Sequence, residues 1–440
     1  MSILDSIIGT LPSVKAPIKV PTIKQKLIWT FVVLCLFFVL GSITLIGLDP
    51  AKTAELGLYQ MIMASNLGTL ISLGIGPIVL ASIILQLLAG VKIINFDFSN
   101  PKSRAKFSGI QKLLAIVLSV VEAVVATVAG MLVPLPGMTF LVILQVAFGS
   151  ILLIYLDEIV SKYGIGSGIG LFIAAGVSQA VFWRIFAFPM SGRVGGLLFQ
   201  AFTSISAGTT VQLFSNILLP ILMTLFVFFI VVYAESMHIN IPLTVGRSGM
   251  GAKYPVKLLY VSNMPVILAG TLFANIRMLG GVFKNSSFFA VVNNFIASPN
   301  GLLQTIIYGG ATTSMILNAL GYMVLFVLTC VIFGKFWVEV GGQSVSSVAQ
   351  QLQRSGMSIP GFRRDERVIV GVLNRYIPTI VILGSIFVGL LSFFADITGA
   401  IGTGTGILLT VGIIYRFYEQ LAKEQAFESS ALLKQIAGKK

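Results

Sequence analysis

Charge is scarce in this chain, and so is every residue type that most often does chemistry. Only 10% of its 440 residues are Asp, Glu, Lys or Arg, where a soluble domain carries about 25%. There is one histidine, His238, and there are two cysteines, Cys35 and Cys330. A lone histidine leaves almost no material for a zinc site or for histidine-based catalysis. Two cysteines in separate apolar runs have no metal or redox spacing and read as small buried hydrophobes. The sequence has no HExxH, no GxSxG with a usable histidine and no GxxxxGK[ST]. No catalytic residue, metal ligand or cofactor site is therefore expected. The N-terminus lacks a basic start, a short apolar core and a small-residue cut site, so no cleavable leader is expected either.

What the chain has is apolar length. Hydrophobic residues make up 56% of it, and its mean hydropathy is +0.98. The apolar runs are long and continuous, not the short alternating pieces of an outer-membrane barrel. An all-α polytopic membrane protein follows, since each span needs ~20 apolar residues. Ten spans are expected at about 25–47, 69–90, 110–131, 139–160, 168–188, 213–235, 258–277, 314–337, 373–394 and 400–420. Residues 1–21 put Ile3, Leu4, Ile7, Ile8 and Leu11 on one face and read as an interfacial amphipathic helix. Ten spans divide into an N-terminal half over 22–188 and a C-terminal half over 213–420, joined by an external linker, 189–212. A tail over 421–440 closes the chain. Residues 278–313 hold apolar pieces too short to span, as the linker does. Five spans per half give inverted topology, a common way to build a central pathway. No strong residue-level repeat is visible between the halves.

Charge supports the count. With ten spans, Lys52, Arg184, Arg193, Arg277 and Lys284 fall on one side and the other 24 of the 29 basic residues on the opposite side. That bias puts both termini in the cytoplasm of a cell membrane. The longest cytoplasmic loops, 236–257 and 338–372, carry Arg247, Lys253, Lys257, Arg363 and Arg364. Positive-inside bias explains such residues; a projecting loop that contacts RNA phosphates, with affinity falling as salt rises, explains them too.

One stretch is irregular. Gly74–Gly90, GIGPIVLASIILQLLAG, can cross a bilayer but carries Gly74, Gly76 and Pro77 at its start. Before it lies GLYQMIMASNLGTL, helix-like but too short and polar to span. Broken helices are tolerated in membranes only beside protein or a water-filled cavity, so a pore or binding site is expected here. Ile75 and Val79 share a face four residues apart, as do Ile169 and Ile173 after the glycine-rich GIGSG. Ile267 follows Pro265, and Leu409 follows GAIGTGTG. Spacing alone does not separate these six from many similar residues. Glu122, in LSVVEAVVATVAG, and Asn263, in YVSNMP, are polar at membrane depth. Such groups are functional candidates by default, or interhelical hydrogen bonds. No second acid lies at a span centre, which weakens an ion-coupled carrier.

LGIGPIVLASIILQLLAG, GIGSGIGLFIAAGVSQ, KLLYVSNMPVILAGTLFANI and GTGTGILLTVGIIYRFYEQL, in that order, closely resemble SecY, the channel subunit of the Sec protein translocon. The wording of the second and fourth motifs is similar to the archaeal and eukaryotic branch. The resemblance implies two pseudo-symmetric inverted five-helix halves around an hourglass pore. It implies a passive, gated channel that translocates secretory polypeptides and releases hydrophobic segments sideways into lipid. Ile75, Val79, Ile169, Ile173, Ile267 and Leu409 match the pore ring. Residues 57–67, with Leu58, Tyr59, Met61, Ile62, Met63 and Asn66, match the plug. Glu122 and Asn263 match the lateral-gate polar cluster, from which Leu80 departs where the family often has threonine. Arg247, Lys253, Lys257, Arg363 and Arg364 match ribosome-facing positions. The implied partners are a SecE-like gamma subunit, a small beta subunit, the ribosome, nascent polypeptides with signal sequences, and membrane lipids. A secondary transporter or small-solute channel is the alternative that a broken helix and inverted halves also fit.

Overall fold

A backbone in hydrocarbon must satisfy its own amides and carbonyls, and apolar runs of this length do so as helices. In a computed structural model of the chain, residues 10–19, 21–49, 67–90, 93–94, 96, 101–189, 195–245, 250–283, 286–354, 357–358 and 366–437 are described. The first half contains α1 (Ile23–Leu40), α2 (Gly76–Gly90), α3 (Pro101–Val128), α4 (Thr139–Tyr163) and α5 (Gly168–Phe186). The short α6 (Leu197–Ser206) follows in the linker. The second half opens with α7 (Thr210–Leu213) and α8 (Leu219–Ser236), made continuous by a π-helical turn at Phe214–Leu218. It continues with α9 (Met264–Val282), α12 (Thr313–Val340), α14 (Glu366–Ile397) and α15 (Gly404–Ala437). The short helices α10 (Ser287–Ile296) and α11 (Leu302–Ile307) fill the connection after α9, and α13 (Val345–Arg354) follows α12. Among the described residues, eight helices are long and apolar enough to cross a membrane. Together with α2 and the apolar start of α15 they make ten, in two halves of five around a shared core.

The boundaries differ from the sequence-based spans where the chain is broken. Residues 67–75 are turns, so the second span is helical only from Gly76. Its fifteen residues reach about 22 Å, short of the ~30 Å hydrocarbon core. The seventh span likewise becomes helical only at Met264. Residues 11–19, inside the expected amphipathic helix, are not helical. Pro12 and Pro17 interrupt it, and the carbonyls of Pro12 and Lys15 accept hydrogen bonds from Lys112 Nζ (2.6 Å) and the Tyr163 hydroxyl (2.8 Å). Cys330 is buried as expected, whereas Cys35 is exposed on α1.

The loops hold a feature beyond the helices. Strands β1 (His238–Val245) and β2 (Met250–Lys257) pair antiparallel, His238 opposite Lys257 and Val245 opposite Met250. A two-residue strand, β3 (Met357–Ser358), adds to β1 at Thr244 and Val245. This sheet ties the two longest basic loops together. Ion pairs brace that end of the bundle: Glu158 on α4 takes Lys112 of α3 and Lys162, each at 2.7 Å. Lys26 of α1 meets Glu424 of α15 at 2.7 Å, across the halves.

The turns before α2 lie directly on α4. A Cβ at Gly149 would stand 1.8 Å from the carbonyl oxygen of Leu70. Gly149→Val is expected to destabilise the chain by at least ~1–3 kcal/mol, the ordinary cost of overpacking. Gly371 on α14 has nothing within 4 Å of its added Cβ, so Gly371→Ala should be neutral or raise stability by up to ~1 kcal/mol. Thermal unfolding midpoints in detergent check both; equal effects at the two positions would contradict the close approach.

Candidate functional site

Four helix N-termini converge in the interior: those of α2, α5, α9 and α15. Ile75 immediately precedes α2, and Val79, Ile169, Ile173, Ile267 and Leu409 lie within the first two turns of their helices. Ile75, Val79, Ile173, Ile267 and Leu409 are buried in one apolar cluster, with Ile169 packed against it. All six expected ring residues are thus brought together, from both halves of the chain.

The local backbone explains where each helix starts. Before α2, Gly74 has φ +55°, and Pro77 sits at the second helical position. Before α9, Ser262 has φ +51°, and Pro265 takes the same position. A left-handed serine costs roughly 1–2 kcal/mol; its hydroxyl donates to Glu235 Oε1 at 2.6 Å. Proline suits a first helical turn because its missing N–H would lack a helical partner there anyway. Val79 and Ile267 each follow their proline by two residues. A second pair runs through α5 and α15. Ile165, Gly166, Gly168 and Gly170 recur as Ile401, Gly402, Gly404 and Gly406. Gly166 and Gly402 have φ +71° and +76°, and Ile173 and Leu409 fall at the same place in the two stretches. The halves therefore do carry a residue-level repeat. It escaped the sequence reading because it is confined to helix starts.

The two polar residues at membrane depth are placed differently. Asn263 is buried at the foot of α9 and reaches into α15: its Nδ2 donates to the carbonyls of Leu408 (3.1 Å) and Leu409 (3.3 Å). A Cβ at Gly412 would lie 1.9 Å from that nitrogen, so the glycine opens the notch that admits the amide. Glu122, on α3, is 2% exposed, and neither carboxyl oxygen has a hydrogen-bond partner. Glu122 and Asn263 share no hydrogen bond. Helices α2 and α3 pack directly on α9, and α2 on α12. Gly281 of α9 stands so close to α3 that an added Cβ would be 3.0 Å from Ala129 Cβ. Leu80 is partly buried on α2.

A cavity of about 410 Å³ lies between the ring and the end that bears β1 and β2. Val79, Ile169 and Ile267 form its floor, and Ser82, Gln86 and Arg416 add polar groups to its wall. Those three escaped the sequence reading. The signal for two of them was present: Ile75, Val79, Ser82 and Gln86 make one stripe along α2.

The remaining candidates divide by position. Lys257 is engaged within the protein, 2.5 Å from Glu419 and 3.9 Å from Glu235. Lys253 lies on β2, with its side chain outside the described set. Arg247, Arg363 and Arg364 fall outside the described residues, as do Leu58, Tyr59, Met61, Ile62, Met63 and Asn66.

Comparison with known proteins gives concordant matches. The family model described as SecY matches residues 69–418. The chain is similar to a protein translocase subunit SecY of Methanocaldococcus jannaschii, 45% identical over all of both chains. A solved structure described as a protein-conducting channel is 44% identical, covers 96% of this chain and 98% of its own, and has a TM-score of 0.84. Sec61 in a canine ribosome–channel complex from the endoplasmic reticulum is 43% identical, covers 96% and 97%, and has a TM-score of 0.80.

The Asn263–Gly412 fit has a direct test. Asn263→Ala should cost about 0.5–1.5 kcal/mol through its lost hydrogen bonds, and Gly412→Ala a similar amount by steric conflict. The double variant should cost less than the sum, because the clash needs the amide that is gone. Strict additivity of unfolding free energies would refute the notch.

Proposed function

We infer the function from one premise: the chain belongs to the SecY family. It is a gated, protein-conducting channel and a multi-pass membrane protein. The observation that carries the mechanism is the convergence of six aliphatic residues at four helix starts, three of which, Val79, Ile169 and Ile267, line a cavity.

A ring of short aliphatic side chains suits a seal that must open for many sequences. It excludes water by close contact and dewetting, and it offers no polar group that would hold one passing chain. A polypeptide enters the cavity, parts Ile75, Val79, Ile169, Ile173, Ile267 and Leu409, and leaves on the far side. Residues 57–67 act as the plug on that side. No nucleotide-binding motif is present in the sequence, so the driving energy comes from a partner. The excess of basic residues on one side supports a cell-membrane orientation with both termini in the cytoplasm.

The seam where α2 and α3 meet α9 and α12 is the lateral gate. The helices that form it bear buried polar atoms with no partner, among them the Glu122 carboxyl oxygens on α3, Gln86 Oε1 on α2 and Thr271 Oγ1 on α9. Parting the seam gives Glu122 water or lipid headgroups, so the closed state bears a cost that the open state does not. The partners are a SecE-like gamma subunit, a small beta subunit, signal-bearing nascent chains and lipid. The ribosome is a further partner, supported by the complex in which the canine relative sits. Arg247, Lys253, Arg363 and Arg364 would contact it; charge reversal at Arg247 and Arg363 should weaken binding at physiological salt and flatten its dependence on salt. Lys257 instead braces the foot of β2 against Glu419.

A stalled secretory chain should crosslink to a photoreactive probe at Val79 or Ile173, and not to one at lipid-exposed Phe140. A functional complex with no adduct at either ring position would sink the assignment. For the gate, Glu122→Leu removes an unsatisfied group worth roughly 1–3 kcal/mol from the closed seam. The open fraction should fall by about 5- to 150-fold, so that marginally hydrophobic signals fail first. Unchanged export across a graded series of signals would remove Glu122 from the gate.

A further inference from the structure

Two aspartates, one from each half, stand in matching places behind the ring. Asp157 is near the end of α4, and its Oδ1 accepts the amide N–H of Ile169 at 2.9 Å. Asp396 is near the end of α14, and its Oδ1 accepts the amide N–H of Thr405 at 3.1 Å. Ile169 and Thr405 are each the second residue of their helix, and each stands four residues, one turn, before a ring residue: Ile173 and Leu409. Gly168 and Gly404, the first residues, are pressed against the same parent helices. A Cβ on Gly168 would lie 2.5 Å from Asp157 Cα, and one on Gly404 would lie 2.0 Å from Ala395 Cβ. The second site is elaborated. Asp396 Oδ2 also accepts from the Thr405 hydroxyl (3.0 Å) and from Ser298 Oγ (2.9 Å).

We propose that Asp157 and Asp396 are a pseudo-symmetric pair of positioning residues that set the resting seal by fixing the starts of α5 and α15. The proposal rests on reading the ring as the channel's seal. A helix start presents amides with no partner in the helix and the positive end of its dipole. A carboxylate on the preceding helix answers both, and it locks the height and rotation of the first turn. Because Ile173 and Leu409 lie one turn further on, that lock places their side chains in the ring. The inverted arrangement applies it from opposite ends of the pore, so each half seats its own wall. The sequence separation of aspartate and amide differs, 12 residues in one half and 9 in the other. The shared element is therefore the geometry of the cap, not a fixed spacing.

The test uses the full chain with its co-purifying subunits, reconstituted in proteoliposomes without substrate, and reads potassium flux. Asp157→Ala and Asp396→Ala should each raise the resting leak roughly 2- to 30-fold, the factor to which the loss of an ordinary helix cap corresponds. Asp157→Asn and Asp396→Asn keep an accepting oxygen and should stay near the parent. Asp→Glu at either site, longer by one methylene, should leak although it keeps the charge. If the alanine variants do not assemble, the Asn and Glu variants decide. Ser150→Ala on α4 and Ser385→Ala on α14 remove buried hydroxyls from the same helices and should not leak. The proposal is overturned if the alanine variants stay tight, if the Asn variants leak as much as alanine, or if the serine controls leak equally. Ile173→Gly and Leu409→Gly separate the two levels. If these stay tight, the ring itself is not the seal; if they leak while the aspartate variants do not, only the positioning role fails.

Discussion

An amide at the start of a helix has no helical partner, and in the middle of a membrane it has little water either. That constraint governs the centre of this molecule, where four helices begin. Each start is relieved by something nearby. At α2 and α9 a proline occupies the second position and removes one donor outright. At α5 and α15 an aspartate from the preceding helix accepts the second amide. At α15 the hydroxyl of Thr403 also takes the amide of Gly406 at 3.1 Å. Continuous spanning helices would avoid the problem, but they would pass the centre without stopping there.

Starting helices beside the ring has a structural return. The first turn of a helix can be aimed by the few residues before it, so Gly74, Ser262, Gly166 and Gly402, all with positive φ, act as local pivots. The aliphatic residues in those first turns then pack in one apolar cluster. The same design leaves the barrier thin. A cavity of about 410 Å³ reaches Val79, Ile169 and Ile267 from one side, and Ile75 ends the turns at 67–75. A thin apolar layer at helix starts parts by small rotations, whereas a long packed core would have to be unpacked.

Much of this plan was legible in the sequence. Hydropathy accumulates along a run and basic residues accumulate on one side, so ten spans and their alternation could be read without knowing a single contact. The break before α2 was legible from Gly74, Gly76 and Pro77. The ring was not, because Ile and Leu at helical spacing are everywhere in such a chain; only family resemblance singled out those six. The aspartates were hidden for a different reason. Acids are ordinary near span ends, and the partner amides are 9 and 12 residues away, with no common spacing to notice. The hairpin was visible in principle, since Ile239, Ile241, Leu243 and Val245 alternate. That pattern is brief and carries Pro242, and it stood in a loop where only charge was being read.

The polar groups at helix contacts differ in how they are paired. Asn263 joins α9 to α15, and Lys257 joins β2 to α15, all within the second half. Lys112 and Glu158 do the same for α3 and α4 in the first. Glu122 faces no such partner. A buried carboxyl without a hydrogen bond costs more than one that is paired, and a chain that needed the seam permanently shut would gain by placing a leucine there. A seam that parts, as the proposed gate does, would relieve that cost.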